Sequence, residues 1–282
     1  MALVRLRSLG DCVLTTPAIR LLKSFRPDLR LSIVVEDRFR AVFEGNPDLD
    51  ELLPPELSAL RRFRPALTIN LHGGTRSAWM TALSGASIRA GFGHYRHRWA
   101  YNLRIPRAQE TLGVERKVHT AEHLASAMFY LGVPHSEIPR AQLYAPPAPP
   151  ASAAVLHPVA AAPEKTWPPD RFLEVAGRLQ ATGLDPIFIG APSDDLTAWR
   201  AYRTQQGTLA ETKALLSRAA LFVGNDSGPA HMAAAFGLPV VVFFGPSDRD
   251  IWAPWRTPNA ILPVTAPASD AIAALERLRV AA

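Results

Sequence analysis

Between an apolar run at 219–223 and a run of small residues at 230–237 lies the octapeptide Gly224-Asn225-Asp226-Ser227-Gly228-Pro229-Ala230-His231. This pattern is typical of a strand, a tight turn and a helix. Asp226 or Ser227 can cap the helix, and Gly228 lets a ligand approach the backbone closely. The exposed amides and the positive dipole end of such a helix favour a phosphate. The octapeptide fits a phosphate site and, equally well, an ordinary capped helix.

A second turn of the same kind lies at the start of the chain. Residues 3–7 have the pattern of a short strand, a turn with Gly10 follows, and residues 14–22 have the apolar period of a helix. In a parallel sheet, the carboxyl ends of the strands and the N-termini of the following helices share one edge, where open α/β folds bind ligands. One such turn in each half predicts two α/β domains facing each other across a cleft.

A proline-rich segment, YAPPAPPAS at 144–152, divides the chain because it can form neither a helix nor a central strand. We therefore expect a first domain at 1–145, a second at 153–266 and a last helix at 267–282. The predicted strands lie near 2–7, 31–35, 67–71, 153–157, 186–190, 219–223 and 239–243. The predicted helices lie near 12–25, 36–44, 76–83, 119–131, 169–182, 209–217, 228–236 and 268–280. This alternation predicts an α/β fold with parallel sheets covered on both faces.

The composition indicates a globular cytoplasmic protein. The chain has 282 residues, 48% of them hydrophobic, enough to bury two moderate cores. No window reaches the roughly 18 to 20 apolar residues that span a bilayer, and the start lacks the pattern of a signal peptide. The single cysteine, Cys12, excludes an internal disulfide, fits a reducing compartment and argues against a cysteine-rich metal site.

The net charge of +6 comes mostly from arginine. One segment is crowded with basic and aromatic residues: Arg89, His94, Arg96, His97, Arg98, Trp99, Tyr101, Arg104 and Arg107. Such a patch can hold a phosphorylated or carboxylated partner through bidentate guanidinium contacts, or it can be a solvated face. No signature of a nucleic-acid-binding fold accompanies the charge, so we expect no nucleic acid as a partner.

Five motifs occur in order along the chain. They are RLRSLGD at 5–11 with TPA at 16–18, EGNPDLDE at 44–51, HGGTRS at 72–77 with RAGF at 89–92, HP at 157–158 with KTWP at 165–168, and NDSGPAH at 225–231 with FGP at 244–246. Together they resemble glycosyltransferase family 9, the heptosyltransferases that build the inner core of lipopolysaccharide. The resemblance implies a GT-B fold: two Rossmann-like doubly wound domains, with the acceptor on the first, the nucleotide sugar on the second and the reaction in the cleft. It also implies inverting transfer with no bound metal and no other cofactor.

The resemblance makes Asp11 the candidate catalytic base. An acceptor hydroxyl is a poor nucleophile until a base takes its proton, so a carboxylate must lie beside it. The alternative is that Asp11 is the N-cap of the helix that follows. For the acceptor, which we expect to be a phosphorylated or acidic glycolipid, the candidate residues are Arg76, Arg96 and Arg98.

The leaving nucleoside diphosphate gains negative charge, and without a metal this charge must be met by fixed donors. Lys165 is the first candidate; otherwise it is a surface lysine near a proline turn. Within the octapeptide, the candidate phosphate contacts are Ser227, Gly228 and His231. Asp226 suits a helix cap or a hydroxyl of the ribose or sugar, because like charges repel.

Two further residues are candidates for the nucleoside. Glu211 lies at or one residue from the position where the family contacts the ribose, but with Thr208 it also fits a capping box. Met232 is a candidate for contact with adenine, and packing in the core is its alternative.

Two departures from the family bear on function. Between Gly190 and Gly224 the family has room for another strand, whereas here residues 199–207 lead straight into the helix of Glu211, so the second domain is expected to be short. A reshaped pocket would suit an alternative function, that of a non-catalytic nucleotide-binding or interaction protein of the same fold. A dinucleotide oxidoreductase is disfavoured because the first turn lacks the three-glycine fingerprint. By resemblance to other GT-B enzymes, the last helix is expected to pack back on the first domain.

The sequence therefore predicts an inverting glycosyltransferase. It would move a heptose or a related sugar from a nucleoside diphosphate donor, ADP-linked by resemblance, to lipopolysaccharide core or another lipid-linked or oligosaccharide acceptor. An acceptor embedded at the cytoplasmic face of the inner membrane would favour a basic surface and peripheral attachment.

Overall fold

The computed structural model of the protein describes residues 1–160 and 162–280. The chain divides into two compact units, Met1–Ala141 and the described residues from Gln142 onward. The division lies just before the proline-rich segment, close to the expected limit at 145. None of the helices in the described residues combines the length and the apolar character that crossing a bilayer requires.

The first unit contains one six-stranded sheet. Its strands are β1 (Ala2–Val4), β2 (Ser32–Val34), β3 (Glu51–Leu53), β4 (Leu67–Asn70), β5 (Ile88–Phe92) and β6 (Leu103–Ile105). Its helices are α1 (Leu9–Phe25), α2 (Leu57–Phe63), α3 (Thr75–Ala82), α4 (Ala108–Leu112) and α5 (Thr120–Tyr130). The strands follow the order β3-β2-β1-β4-β5-β6, and every neighbouring pair is parallel.

The second unit contains another six-stranded sheet. Its strands are β7 (Ala153–His157), β8 (Asp185–Gly190), β9 (Arg203–Gln206), β10 (Leu221–Asn225), β11 (Val240–Phe244) and β12 (Asn259–Pro263). Its helices are α6 (Pro169–Ala181), α7 (Leu209–Leu216), α8 (Gly228–Ala235), α9 (Arg249–Trp252) and α10 (Ala268–Val280). The order is β12-β11-β10-β7-β8-β9, again with parallel neighbours throughout.

Both sheets have the doubly wound order of a Rossmann-like domain, which confirms the predicted fold class. The central strands β1, β2, β7, β10 and β11 are buried along their whole length, as expected for strands covered by helices on both faces. The chain reverses its direction of winding between β1 and β4, and between β7 and β10. At these two switch points the helices on either side diverge and leave a crevice, so each unit has one natural place for a ligand.

The sequence prediction omits five strands and the short helices α2, α4 and α9, and it assigns one helix wrongly. The prediction gives three strands in the first unit and four in the second, but each sheet has six. Four of the five additional strands, β3, β6, β9 and β12, are sheet edges, where partial exposure removes the need for a continuous apolar run. The predicted helix at 36–44 is wrong, because the chain forms a 3-10 helix at Asp37–Val42.

The expected shortening of the second domain is also wrong. Residues Arg203–Gln206 form β9, which pairs with β8 and completes the sheet. The sequence RTQQ carries no apolar signal because β9 is an edge strand with mostly exposed side chains. The second unit thus has the same number of strands as the first.

The last helix packs within its own unit. Ala271, Ala274 and Leu275 of α10 lie in the same buried core as Phe172 of α6. An ion pair of 2.7 Å between Arg178 and Glu276 joins α6 and α10 at the surface. Within its own unit α10 thus packs against α6. Packing of the helix at 267–282 on the first domain stays a prediction, and residues 281 and 282 lie outside the described residues.

Candidate active site

Asp11 lies in the first turn of α1, directly after the turn that leaves β1. Its Oδ2 atom accepts hydrogen bonds from the backbone nitrogen of Ser8 at 3.4 Å and from the Ser8 hydroxyl at 3.0 Å. Ser8 is the N-cap residue of α1, so the alternative that Asp11 is itself the N-cap is wrong. The Oδ2 atom of Asp11 thus supports the start of α1, and the Oδ1 atom takes no part in these two hydrogen bonds.

That second oxygen, Asp11 Oδ1, lies 3.6 Å from Nη1 of Arg5. The Arg5 side chain is only 6% exposed, and its Nε atom is buried without a hydrogen-bond partner among the described residues. Asp11 keeps 23% of its side chain exposed. The guanidinium therefore holds the carboxylate from the protein side and leaves it accessible from solvent, an arrangement that suits a base for an incoming hydroxyl.

The turn after β4 forms the opposite side of this switch point. Asn70 ends β4, and its side-chain oxygen accepts from the backbone nitrogens of His72 at 2.9 Å and Gly73 at 3.0 Å. Its amide nitrogen donates to the hydroxyls of Ser77 at 3.1 Å and Tyr101 at 2.9 Å. A single buried amide thus fixes the 70–73 turn and the start of α3.

Three titratable side chains that feel the charge of Asp11 are held in their neutral forms at neutral pH. Burial, followed by the charge of Arg5, lowers the pKa of His72. Burial, followed by the neighbouring His94, lowers the pKa of His123 to about 4. Burial also raises the pKa of Tyr95 to about 12. These three side chains therefore add no charge beside the pair of Asp11 and Arg5.

The three arginines expected to bind the acceptor are all exposed. Arg76 lies in the first turn of α3, and its Nη2 atom donates to the Pro55 carbonyl at 2.7 Å. Arg96 and Arg98 lie between β5 and β6. Their contact with an acceptor stays a prediction.

In the second unit, the structure brings Lys165 to the octapeptide. Lys165 ends a 3-10 helix at Pro163–Lys165, and its Nζ atom donates to the Ser247 hydroxyl at 2.8 Å. The same atom lies 3.8 Å from Oδ2 of Asp226. Lys165 therefore lies at the carboxyl edge of the second sheet, beside the segment that leads into α8.

The start of α8 has no side-chain cap. Ser227 occupies the N-cap position, but its hydroxyl donates to the Asn225 carbonyl at 3.0 Å and contacts Nδ1 of His157 at 3.1 Å. Because the hydroxyl proton goes to Asn225, the His157 ring is the donor in the second contact. Burial lowers the pKa of His157 to about 4, so the ring is neutral. The backbone N–H of Gly228, the first residue of α8, is thus available to an anion, whereas Pro229 has no N–H and Ala230 donates to the Ser227 carbonyl at 3.2 Å.

Buried contacts anchor the Lys165 turn. Asn225 accepts from the backbone nitrogen of Trp167 at 2.9 Å and donates to the Pro158 carbonyl at 2.8 Å. The Trp167 ring is fully buried and stacks on Phe243 with 3.8 Å between ring centroids. A Cβ at Gly245 would lie only 2.2 Å from the backbone oxygen of Glu164, so only glycine allows this close approach. These contacts therefore fix the backbone segment that carries Lys165.

A pocket of about 370 Å³ lies next to this lysine. It is formed where β11 and β12 end and is lined by Phe244, Gly245, Ser247, Arg249, Ile261, Leu262 and Pro263. Ser247 contributes both to the pocket wall and to the hydrogen bond with Lys165. A largely apolar pocket next to a cation suits a ligand with a flat ring and a charged group.

The remaining donor candidates differ in what the structure shows. Met232 is fully buried in α8, so its side chain packs in the core and its assignment to the donor site is corrected. His231 is also buried, one turn inside α8.

For Glu211 the capping box with Thr208 is confirmed: Glu211 Oε2 accepts from the Thr208 backbone nitrogen at 2.7 Å and hydroxyl at 2.9 Å. The bond from that nitrogen lowers the pKa of Glu211. Contact of Glu211 with ribose stays a prediction.

Several residues of these sites are not among the sequence predictions: Arg5, Ser8, Asn70, His123, His157 and Ser247. A signal exists for some of them, since Arg5, Asn70 and His157 each end or directly follow a central strand, where a parallel sheet presents its ligands. Among residues 1–160 and 162–280, no group of three or more His, Cys, Asp and Glu side chains is placed to hold a metal ion.

Residues 58–278 match the protein family described as glycosyltransferase family 9 (heptosyltransferase). Lipopolysaccharide heptosyltransferase 3 of Escherichia coli K12 is 29% identical over 294 residues, which cover 89% of this chain and 84% of that protein. The solved glycosyl transferase family 9 protein of Veillonella parvula DSM 2008 is 21% identical with a TM-score of 0.87, over 100% of this chain and 97% of that one. Escherichia coli heptosyltransferase WaaC, solved with ADP, is 17% identical with a TM-score of 0.82, over 98% and 99%.

Proposed function

Because the chain belongs to glycosyltransferase family 9 and is therefore a glycosyltransferase, we propose that it moves a heptose or a related sugar from an ADP-linked donor. The proposed acceptor is lipopolysaccharide core, or another lipid-linked or oligosaccharide acceptor with phosphate or carboxylate groups. The similar protein of Escherichia coli K12 is named a lipopolysaccharide heptosyltransferase, and WaaC was solved with ADP. The observation that carries the proposal is the position of Lys165. Its Nζ atom lies 3.8 Å from Oδ2 of Asp226, and Asp226 directly precedes Ser227, the N-cap residue of α8.

The second unit is the proposed donor site. The ammonium of Lys165 and the backbone N–H of Gly228 at the start of α8 are donors for the diphosphate. The pocket beside Ser247 would take the nucleoside. The hydroxyl of Ser227, a further candidate phosphate contact, is held in place by His157.

In the proposed reaction, Asp11 acts as the base. The acceptor oxygen forms a bond to the anomeric carbon from the face opposite the diphosphate, and its proton passes to Asp11 Oδ1, the oxygen that Ser8 does not occupy. The bond between the anomeric carbon and the phosphate oxygen breaks, and its electron pair leaves with the diphosphate. The configuration of the sugar is inverted.

We propose that no metal ion takes part. Charge that develops on the leaving diphosphate is stabilised by preorganised donors, and Lys165 supplies a full positive charge on an anchored turn. The alternative of a non-catalytic protein of the same fold rested on a short second domain. That support is gone, because β9 completes the second sheet.

The first test is a calorimetric titration of the whole chain with ADP, UDP, GDP and NAD, each with magnesium and with EDTA. We expect ADP to bind most tightly and with equal affinity under both conditions. A transfer assay with ADP-heptose and lipopolysaccharide core then tests turnover. Preference for another nucleotide would contradict the ADP-linked donor, and binding that needs magnesium would contradict metal-free transfer.

Charge reversal at the proposed acceptor residues gives a further prediction. The variant Arg96→Glu with Arg98→Glu should raise the KM for the acceptor by roughly tenfold or more, because each exposed arginine near an anionic partner contributes about 1 kcal/mol. The KM for the donor should stay within twofold. The matched control reverses two exposed arginines elsewhere in the first unit, Arg26→Glu with Arg30→Glu. If only the donor KM rises, these arginines do not serve the acceptor.

A further inference from the structure

Two tryptophans form an exposed pair on the first unit. Trp79 lies on α3 and Trp99 lies in the 3-10 helix Arg98–Ala100, and their ring centroids are 4.7 Å apart at an interplanar angle of 64°. Trp79 is 52% exposed and Trp99 is 51% exposed, whereas Trp167 and Trp199 are buried. We call this pair the tryptophan surface. Leaving two large rings half in water is costly, so a contiguous pair marks an interaction site.

The tryptophan surface is held rigidly from below. Ala78 of α3 packs against Ala100 and Tyr101 in one buried cluster. The Tyr101 hydroxyl in turn accepts from Asn70 at 2.9 Å, which ties the cluster to the end of β4. On the side of the 3-10 helix, His97 Nε2 lies 2.9 Å from the hydroxyl of Thr75 in the first turn of α3. The two rings are therefore presented in a fixed arrangement before any partner binds.

The segment of the chain that carries both tryptophans has charge of one sign. Residues 57–109 contain nine arginines and no aspartate or glutamate. The arginines are Arg61, Arg62, Arg64, Arg76, Arg89, Arg96, Arg98, Arg104 and Arg107. Among the residues that the structure describes, none of them forms an ion pair with a carboxylate. Arg76 and Arg98 lie on the same two elements as the tryptophans.

The chemistry of the partner follows from this combination. Tryptophan rings favour the level of the lipid headgroups, where one part of the ring is apolar and the N–H is hydrated. Arginines near an anionic bilayer are attracted to the headgroup phosphates. A second copy of the chain is disfavoured as the occupant, because two copies of this segment, whose charges are all arginines, would repel each other. We propose that the tryptophan surface docks the protein on an anionic lipid bilayer.

This docking goes beyond the transfer reaction, because it needs neither donor nor acceptor. The test is therefore sedimentation of the full chain with vesicles that contain no glycolipid. One set consists of phosphatidylglycerol and phosphatidylethanolamine, and the other of phosphatidylcholine alone. We expect binding to the anionic set only, and weaker binding in high salt, since salt screens the attraction.

The decisive variant is Trp79→Ser with Trp99→Ser, which should lower the partition coefficient for anionic vesicles by about tenfold. The conservative pair Trp79→Tyr with Trp99→Tyr should restore most of the binding, because tyrosine also favours the interface. The matched control is Phe25→Ser with Tyr130→Ser, which removes two exposed aromatic rings from other helices of the first unit. It should bind as the unchanged protein does.

Several results would overturn the proposal. One is an equal loss of vesicle binding in the control with Phe25→Ser and Tyr130→Ser. Another is unchanged binding of both that control and the variant with Trp79→Ser and Trp99→Ser. A third is a tyrosine variant that is folded, as judged by circular dichroism, yet fails to bind vesicles. Loss of a dimer in the serine variant, measured by analytical ultracentrifugation, would assign the surface to a second copy instead. Displacement of the protein from vesicles by soluble, delipidated core oligosaccharide would assign it to the acceptor headgroup. None of these outcomes depends on whether transfer occurs, so failure of the proposed function would show separately in the transfer assay.

Discussion

Asp11→Asn is expected to lower kcat for sugar transfer by roughly 100- to 10,000-fold, the range for loss of a general base. Asparagine keeps the size of the side chain and an oxygen that can accept from Ser8, so the start of α1 should survive. It cannot take the proton of the acceptor hydroxyl at Oδ1, where Arg5 holds the carboxylate. The measurement is kcat in a transfer assay, together with the ADP dissociation constant from calorimetry, which should stay within about twofold if the sites are independent.

The control for Asp11 is Asp28→Asn, which removes a carboxylate just beyond the end of α1, where Asp28 pairs with Arg26. It should leave both kcat and ADP affinity unchanged, since exposed ion pairs contribute little. A purely structural role for Asp11 would give a different pattern. In that case Asp11→Asn would lower the unfolding midpoint and reduce ADP binding and transfer together.

Lys165→Ala is expected to raise the dissociation constant for ADP by roughly 10- to 150-fold, the equivalent of one hydrogen bond to a charged group. The substitution removes the positive charge that this turn offers to the diphosphate. It also leaves the Asp226 carboxylate, 3.8 Å away, without this counter-charge and close to incoming phosphates. Both consequences weaken the binding of ADP. Calorimetric titration with ADP measures the effect.

Two matched variants test whether the ammonium of Lys165 itself, rather than its hydrogen-bond partner or a lysine elsewhere, sets the affinity for ADP. Ser247→Ala removes the hydroxyl that holds Lys165 at 2.8 Å but keeps the ammonium, so it should change ADP affinity far less. Lys117→Ala removes an exposed lysine from the first unit and should have no effect. If Lys165→Ala binds ADP as tightly as these two variants do, Lys165 is a surface lysine and the donor site lies elsewhere.

The sequence predicts the fold where burial dictates composition. Strands such as β1 and β11 are short runs of apolar residues because both faces are covered, and they are found by pattern alone. Edge strands lack that constraint. The run RTQQ of β9 resembles a loop in sequence, and only pairing with β8 makes it a strand.

The site is predictable to a similar degree. The octapeptide and Lys165 are identifiable because phosphate binding requires amides, glycine and a cation in a short stretch. Ser247 and His157 are different, because their contacts with Lys165 and Ser227 join positions 82 and 70 residues apart. Such pairings depend on the order of strands in the sheet and cannot be read from local pattern. The burial of Met232 has the same origin, since the covered face of α8 is set by packing.

The contacts that Lys165 makes without a bound donor also bear on the release of the nucleotide product. Before the donor arrives, the ammonium already contacts the Ser247 hydroxyl and faces the Asp226 carboxylate. Capture of a diphosphate therefore exchanges one set of partners for another, and the net affinity reflects only the difference between them. In the proposed reaction, the same two groups take the ammonium back when ADP dissociates, and no uncompensated charge is left in the site. We expect an exchange of this kind to speed product release and to favour rapid cycling over tight retention.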